Sequence, residues 1–510
     1  MPELNLNDLP LFRNEPYTDF SVPEHRKAMC EALVRVRSQL GKEYDLLIDG
    51  RWRKAPSRFS SINPSRYTEI VGVHQRATPE IASEAVEAAW RFFPVWRRVP
   101  ATERAALLLR AAELLRQRKM EFNAWMIYEV GKTWPEAEAD TSEAIDFCEY
   151  YAREMLRYQN PPPVLQFPGE RDEMRYIPLG VGVIIPPWNF PLAILTGMTT
   201  AALVTGNTVV IKPSSDAPTV AAKFVELLLE AGFPPPAIQF VTGPGAEIGD
   251  ALVLHPKTRF VSFTGSKEVG LRINELAARH QPGQIWIKRV VAEMGGKDAI
   301  IVDSEADLDR AVQGVLVSAY GYQGQKCSAC SRAIVDQAVY DVFLEKLIAA
   351  TQRITVGPAE DPENFMGPVI NERAKQSILN YIEIGKREGR LVCGGNEIPG
   401  EGYFIEPTIF ADVDRTARIF HEEIFGPVLA VTKARGFDHA LELANDSEYG
   451  LTGSVYTRNR EKIEKAKEEF HVGNLYINRK STGAMVGVHP FGGFNMSGTD
   501  SKAGGPDYLL

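Results

Sequence analysis

Short β-branched runs separated by helical segments dominate the middle of the chain. Val181–Ile185, Thr208–Lys212, Ile238–Val241 and Arg259–Phe263 read as strands, with helices over Ala217–Ala231 and Lys267–Arg279. Strands that alternate with helices predict a parallel sheet covered on both faces. Ligands of such sheets bind beyond the carboxyl ends of the strands. The polar and glycine residues that follow the runs therefore mark a crevice: Pro186–Asn189, Lys212–Ser215, Thr242–Gly245 and Thr264–Ser266. A second alternating series begins at Asp298–Val302, with a helix over Glu305–Ala319, a strand at Ala333–Val335 and a helix over Tyr340–Ile354. It predicts a second α/β domain.

The first part of the chain reads differently. Leu46–Trp52 carries Asp49-Gly50 between apolar runs, a hairpin signal. Thr78-Pro79-Glu80 supplies a cap, a proline for the first turn and an acid for the positive end of a helix. Further helices start near Thr102 and cover about Ala137–Tyr158, until Pro161–Pro163 breaks the pattern. The stretch Val164–Tyr176 is polar and extended. The tail from Phe494 is glycine-rich and needs a docking surface to be ordered.

The 510 residues exceed what one hydrophobic core usually organises, which fits two domains. A net charge of −9 gives no basic surface for nucleic acid. No apolar run reaches the roughly 20 residues of a membrane span. The start, Met1–Asn7, lacks the layout of a signal peptide. Five scattered cysteines (Cys30, Cys148, Cys327, Cys330 and Cys393) form no disulfide framework and fit a reducing, cytoplasmic setting.

Candidate chemistry centres on Gly324-Gln-Lys-Cys327-Ser-Ala, where small neighbours leave a thiol open to substrate. Glu293, in Glu293-Met-Gly-Gly-Lys297, stands 34 positions upstream. A thiol nucleophile with a carboxylate base suits two-step covalent chemistry, and an inert loop thiol is the alternative. Asn189, in a loop stiffened by Pro187 and Pro191, either donates to an oxyanion or caps the following helix. Gly265–Gly270 joins a strand to a helix and offers N–H groups to a phosphate, unless it is an ordinary turn. No Gly-x-Gly-x-x-Gly stands in the required context. His421-Glu422 lacks the second histidine of a zinc-protease helix, and Cys327-Ser-Ala-Cys330 lacks a partner pair, so no metal is expected.

Seven motifs in order resemble the aldehyde dehydrogenase superfamily over nearly the whole chain: Pro187–Pro191, Lys212–Ser214, Phe263–Ser266, Glu293–Lys297, Gly324–Cys327, Glu422–Pro427 and Pro490–Gly493. Asn14–Phe20, Lys480–Gly487 and the ending Ser497–Leu509 are similar to the branch that acts on glutamate γ-semialdehyde, in its form without a fused proline dehydrogenase domain. Succinate semialdehyde is the alternative substrate. The resemblance implies an α/β chain of two Rossmann-like open-sheet domains plus a small oligomerisation flap. It places the cofactor domain at residues 1–156 and 178–291, the catalytic domain at 292–489, and oligomerisation arms at 157–177 and 490–510.

The same resemblance implies residue roles. Cys327 is the nucleophile, Glu293 the general base and Asn189 the oxyanion donor. For NAD, Lys212 and Glu423 reach the riboses, Phe425 lies by the nicotinamide, Ser266 by the pyrophosphate, and Gly245 and Gly249 by the adenine side, with Pro187, Trp188 and Gly265 in the same crevice. Ser215 stands where many NAD-preferring relatives carry an acid, which leaves room for NADP. Lys326, Ser328, Gly483 and Ala484 face the substrate carboxylate, Phe190 and Phe491 flank its chain, and Glu143 lies near its ammonium. Cys330 is read as a small buried residue, with a protective disulfide to Cys327 as the alternative. A homodimer or larger assembly and a weak contact with a separate proline dehydrogenase complete the expectation.

Overall fold

The computed structural model describes residues 9–510; the Met1–Asn7 start lies outside them. Two seven-stranded sheets organise the chain. Across the first sheet the strands are Arg289–Glu293, Thr258–Thr264, Val181–Ile185, Thr208–Ile211, Ile238–Phe240, Leu46–Ile48 and Arg51–Arg53. The first five run parallel, and the last two are an antiparallel hairpin added at one edge. Asp49 (φ 52°) and Gly50 (φ 73°) make its turn left-handed at both positions, the geometry that the Asp-Gly pair favours.

Both faces of this sheet are dry. Ile184, Val209 and Ile211 point into one apolar cluster, while Val181, Val183, Ile185 and Val210 point into another. Successive side chains alternate between faces, so a strand covered on both sides must be apolar throughout. That is why these runs are legible as continuous Val and Ile.

The second sheet repeats the logic. Its order is Arg390–Cys393, Thr408–Ala411, Val428–Ala434, Cys330–Asp336, Asp298–Val302, Thr452–Tyr456 and Asn474–Ile477, parallel except at the Arg390 edge. The Asp298–Val302 strand and the helix after it fall where the pattern put them, the helix spanning Leu308–Tyr320. The sequence pattern assigned nothing beyond Ile354. Five strands of this sheet lie there, four of them only four or five residues long, and such short runs carry little periodic signal. The helix Ala193–Val204 also escaped the pattern. Eleven of its twelve residues are buried, so it has no polar stripe to betray a 3.6-residue period.

Thr78 caps the helix Pro79–Trp96 by accepting from Ile81 N–H at 3.4 Å. The helix expected from Ala137 begins earlier, at Trp134, and runs to Tyr158. Residues 161–177 form no helix or strand and expose Leu165, Phe167 and Ile177. The tail does find a docking surface on its own chain: Phe494–Asn495 pairs with Tyr449–Gly450, and Tyr508 stacks on Tyr151 at 5.6 Å. The first sheet ends at Glu293 and the second begins at Asp298, so four residues join them. Among the described residues no helix is long and apolar enough to cross a membrane.

Candidate active site

Cys327 lies in the loop between the helix Leu308–Tyr320 and the strand Cys330–Asp336. The loop is bent by three successive left-handed residues, Tyr322 (φ 49°), Gln323 (φ 58°) and Gly324 (φ 67°). Two of them carry side chains, a conformation that persists only where the surroundings enforce it. Tyr322 Oη donates to Val130 O at 2.8 Å. Gln323 donates to Pro368 O at 2.7 Å and accepts from Gly367 N–H at 2.9 Å. Gln325 Oε1 accepts from Ile370 N–H at 2.9 Å. The buried glutamines thus act as rivets for the nucleophile loop.

The two glycines after Glu293 are there for space. A side chain on Gly296 would strike the Cys327 carbonyl, and one on Gly295 would strike the Glu423 carboxylate. The chain crossing between the sheets therefore passes directly against the nucleophile. Around the Cys327 thiol, burial and the carboxylates of Asp298, Glu423 and Glu293 raise its pKa. The resting group is a thiol, and its ionisation awaits a change in the local charge.

Asn189 is 4% exposed and donates Nδ2–H to Gln325 O at 3.0 Å, two residues before the nucleophile. It does not cap the next helix: Leu192 holds that position, with no side-chain cap. The capping alternative is thereby overturned. One amide hydrogen fixes the side chain to the nucleophile loop and the other makes no hydrogen bond among the described residues. Asn189→Ala is expected to lower kcat by roughly 10²–10³-fold, checked by steady-state rates at saturating substrate.

Glu293 ends the last strand of the first sheet. Burial raises its carboxyl to about 7 against the donors on Ser501. A base of that strength is half ionised near neutral pH, which suits proton abstraction from water.

The crevice beyond the first sheet holds the residues expected to meet a dinucleotide. Lys212 is buried, donates to Pro213 O at 2.9 Å, and is lowered to about 8 by burial. Its amine forms no ion pair among the described residues, and only the Asp216 charge acts on it from further off. A side chain on Gly245 would approach only that amine, at 3.9 Å, and Gly249 faces open space. Ser266 caps the helix Lys267–Ala278 by accepting from Val269 N–H, directly after Gly265. Glu423 accepts from Gly296 N–H at 2.9 Å and is raised to about 7 by burial. Phe425 is left-handed (φ 57°) and meets Trp188 edge-on at 5.6 Å. Pro187 precedes Trp188 in the loop after Val181–Ile185, and Ser215 lies half-buried in the turn before the helix Pro218–Ala231. A buried amine, glycine-lined open space and the start of the helix Gly245–Leu254, which has no side-chain cap, fit a dinucleotide with its anionic pyrophosphate.

A separate cavity of about 540 Å³ opens beside Ser328. Glu143, Phe190, Lys326, Ser328, Gly483 and Ala484 all line it. Phe491 does not; its backbone pairs with Ala503, N–H to O at 2.8 Å. Lys326 turns away from the thiol and pairs with Glu136 at 2.7 Å. Burial and Asp140 raise Glu143 to about 8, and burial raises Asp146 to about 6. Beneath the cavity the fully buried Lys132 pairs with Asp140 at 3.3 Å and lies 4.0 Å from the Phe190 ring centre, fixing that ring.

The sequence reading missed Glu136, Asp146 and Lys480, which also line the cavity. A signal existed for the first two. Glu136, Ala139, Glu143 and Asp146 recur every three or four residues and so share one face of the helix Trp134–Tyr158. Cys330 is 1% exposed, packs with Ile300, Tyr320 and Tyr456, and donates to Arg332 O at 3.5 Å. It is the small buried residue of the core reading.

The fold, the nucleophile loop and the crevice define an aldehyde dehydrogenase: residues 52–510 match the aldehyde dehydrogenase family, and the chain belongs to it. It is 57% identical over 499 residues to the 1-pyrroline-5-carboxylate dehydrogenase of Geobacillus sp. (strain WCH70), covering 98% of this chain and 97% of that one. The solved 1-pyrroline-5-carboxylate dehydrogenase from Thermus with bound NAD superposes with a TM-score of 0.97 at 54% identity, covering 98% and 97% of the two chains. Proline utilization A from Bdellovibrio bacteriovorus gives a TM-score of 0.96 at 47% identity, and the match covers 98% of this chain but 52% of that one.

Proposed function

We propose that this chain oxidises L-glutamate γ-semialdehyde, the hydrolysed form of 1-pyrroline-5-carboxylate, to L-glutamate with NAD, the second step of proline degradation. One observation carries the substrate: the cavity beside Ser328 is lined by two lysines, Lys326 and Lys480, and by three acids, Glu136, Glu143 and Asp146, with Lys326 paired to Glu136. An α-amino acid end presents a carboxylate and an ammonium together, and such a wall pairs with both. Ser328 and the backbone of Gly483 and Ala484 serve the carboxylate, and Phe190 flanks the methylenes. Phe491, outside that cavity, has no substrate contact in this reading.

Cys327 adds through sulfur to the aldehyde carbon, and its proton leaves to solvent. The oxyanion of the thiohemiacetal is held by Asn189 Nδ2–H and the backbone N–H of Cys327. NAD, when bound, would supply the hydride acceptor. A thioester on Cys327 remains, and Glu293 takes a proton from the water that hydrolyses it. Lys212 and Glu423 orient the riboses, Ser266 and Gly265 the pyrophosphate, and Phe425, Trp188 and Pro187 close the nicotinamide end. Ser215 puts no carboxylate against a 2′-phosphate, so NADP is a second acceptor with lower preference. The exposed apolar side chains of residues 161–177 suit a homodimer or larger assembly through that arm, and the resemblance adds a weak contact with a separate proline dehydrogenase.

The test is NADH formation from glutamate γ-semialdehyde, succinate semialdehyde and acetaldehyde side by side. The semialdehyde bearing the ammonium is expected to give the highest kcat/KM. Preference for succinate semialdehyde would overturn the substrate, and no turnover of any aldehyde would overturn the enzyme.

A further inference from the structure

The C-terminal tail runs along the outer edge of the strand that carries Glu293. Met294 N–H donates to Ser497 O at 2.7 Å and Thr499 N–H donates to Ala292 O at 2.9 Å, with an antiparallel bridge between Glu293 and Gly498. Two residues later Ser501 Oγ donates to Glu293 Oε1 at 2.6 Å, and Ser501 N–H reaches the same oxygen at 3.4 Å. Glu293 Oε2 is buried without a partner. Ser501 is held from both sides. Asp500 pairs with Lys502 at 2.8 Å, and the Lys502 ammonium also donates to Gly473 O and Gly492 O, each at 2.9 Å. Ala503 then pairs its backbone with Phe491.

We propose that Ser501 is a positioning residue for Glu293: its hydroxyl holds one carboxylate oxygen and leaves Oε2 as the oxygen that takes the proton from water. This rests on the reading of Glu293 as the base. In the step concerned, a water O–H bond breaks and its proton passes to Oε2. The water oxygen bonds to the thioester carbon, and the C–S bond breaks to return the Cys327 thiolate. No oxidant is consumed. A carboxylate with two free oxygens turns freely within its pocket; one held by the Ser501 hydroxyl gives up that hydrogen bond to do so.

The groups around Glu293 set its titration. Burial and the Asp500 charge raise it, while the Ser501 donors and the Gly493 backbone N–H lower it. The Cys327 thiol and the Tyr508 phenol also sense its charge, and the Lys502 ammonium is turned to the carbonyls named above. A hydrogen bond to the ionised form favours that form. Removing the hydroxyl therefore makes the carboxyl harder to ionise, and activity is lost from a higher pH downward.

The experiment is the pH profile of kcat from pH 5 to 9 for the full chain, with the NADH burst measured alongside. In Ser501→Ala the acid limb is expected to move up by roughly one pH unit with the burst retained, because thioester formation does not need the base. Ser501→Thr, which keeps a hydroxyl, is expected to restore the wild-type limb. An unmoved limb in Ser501→Ala overturns the proposal, as does an equal shift in both variants. If thermal melting shows that Ser501→Ala does not fold, Ser501→Cys, a weaker donor of similar size, is read in its place. Normal turnover by Glu293→Gln is a separate failure, that of the base itself.

Discussion

Cys327→Ala is expected to abolish NADH formation from every aldehyde, a loss of roughly 10⁴-fold or more, while cofactor binding is kept. The magnitude follows from the chemistry. A bare aldehyde has no alkoxide from which hydride can leave, so without the thiol no low-energy route remains. Folding is expected to survive, because Cys327 is only half-buried and the loop is held by Tyr322, Gln323 and Gln325 rather than by the thiol. Steady-state rates and a cofactor titration on the same sample check both halves. Retained turnover would remove covalent catalysis from this site.

Glu293→Gln is expected to separate the two halves of the reaction. Thioester formation proceeds, so one equivalent of NADH appears as a burst. Hydrolysis then slows by about 10²–10⁴-fold, the usual worth of a positioned general base. The amide fits the same place, since Ser501 Oγ can still donate to its carbonyl oxygen. Rapid mixing reads the burst, and mass spectrometry of the stalled protein reads the acyl group on Cys327. In the wild type, turnover is expected to fall as the pH drops through about 7. Burial holds the carboxyl there, and the protonated acid cannot accept a proton. Absence of a burst in Glu293→Gln would place the residue before the thioester instead.

The substrate cavity shows how far local sequence reaches. Glu143 stands in an unremarkable helical stretch, and only the resemblance gave it a role. The structure supplies the reason: burial and Asp140 raise it to about 8, and the same helix face brings Glu136 and Asp146 to one wall. Lys326, adjacent to the nucleophile in sequence, turns to Glu136 across 190 residues of chain. Its role as an activator of the thiol would be the natural local guess, and the geometry sends it to the substrate end. Asn189 shows the reverse. Its two roles were open in the sequence; Leu192 at the N-cap position removes the capping role, and the bond to Gln325 O holds the side chain against the nucleophile loop.

Local sequence determined the parallel strands of the first sheet and the opening units of the second, because a strand buried on both faces must be continuously apolar and a covered helix must follow it. It also determined the reactive types: a thiol among small residues, a carboxylate beside two glycines, an amide between prolines. Tertiary structure decided everything that depends on chain segments far apart meeting. The tail laid along the Glu293 strand, the rivets from Gln323 and Gln325, and the ring of Phe190 held over Lys132 are contacts across tens to hundreds of residues. Periodicity reports what one segment needs to bury, and says nothing about which distant segment will cover it.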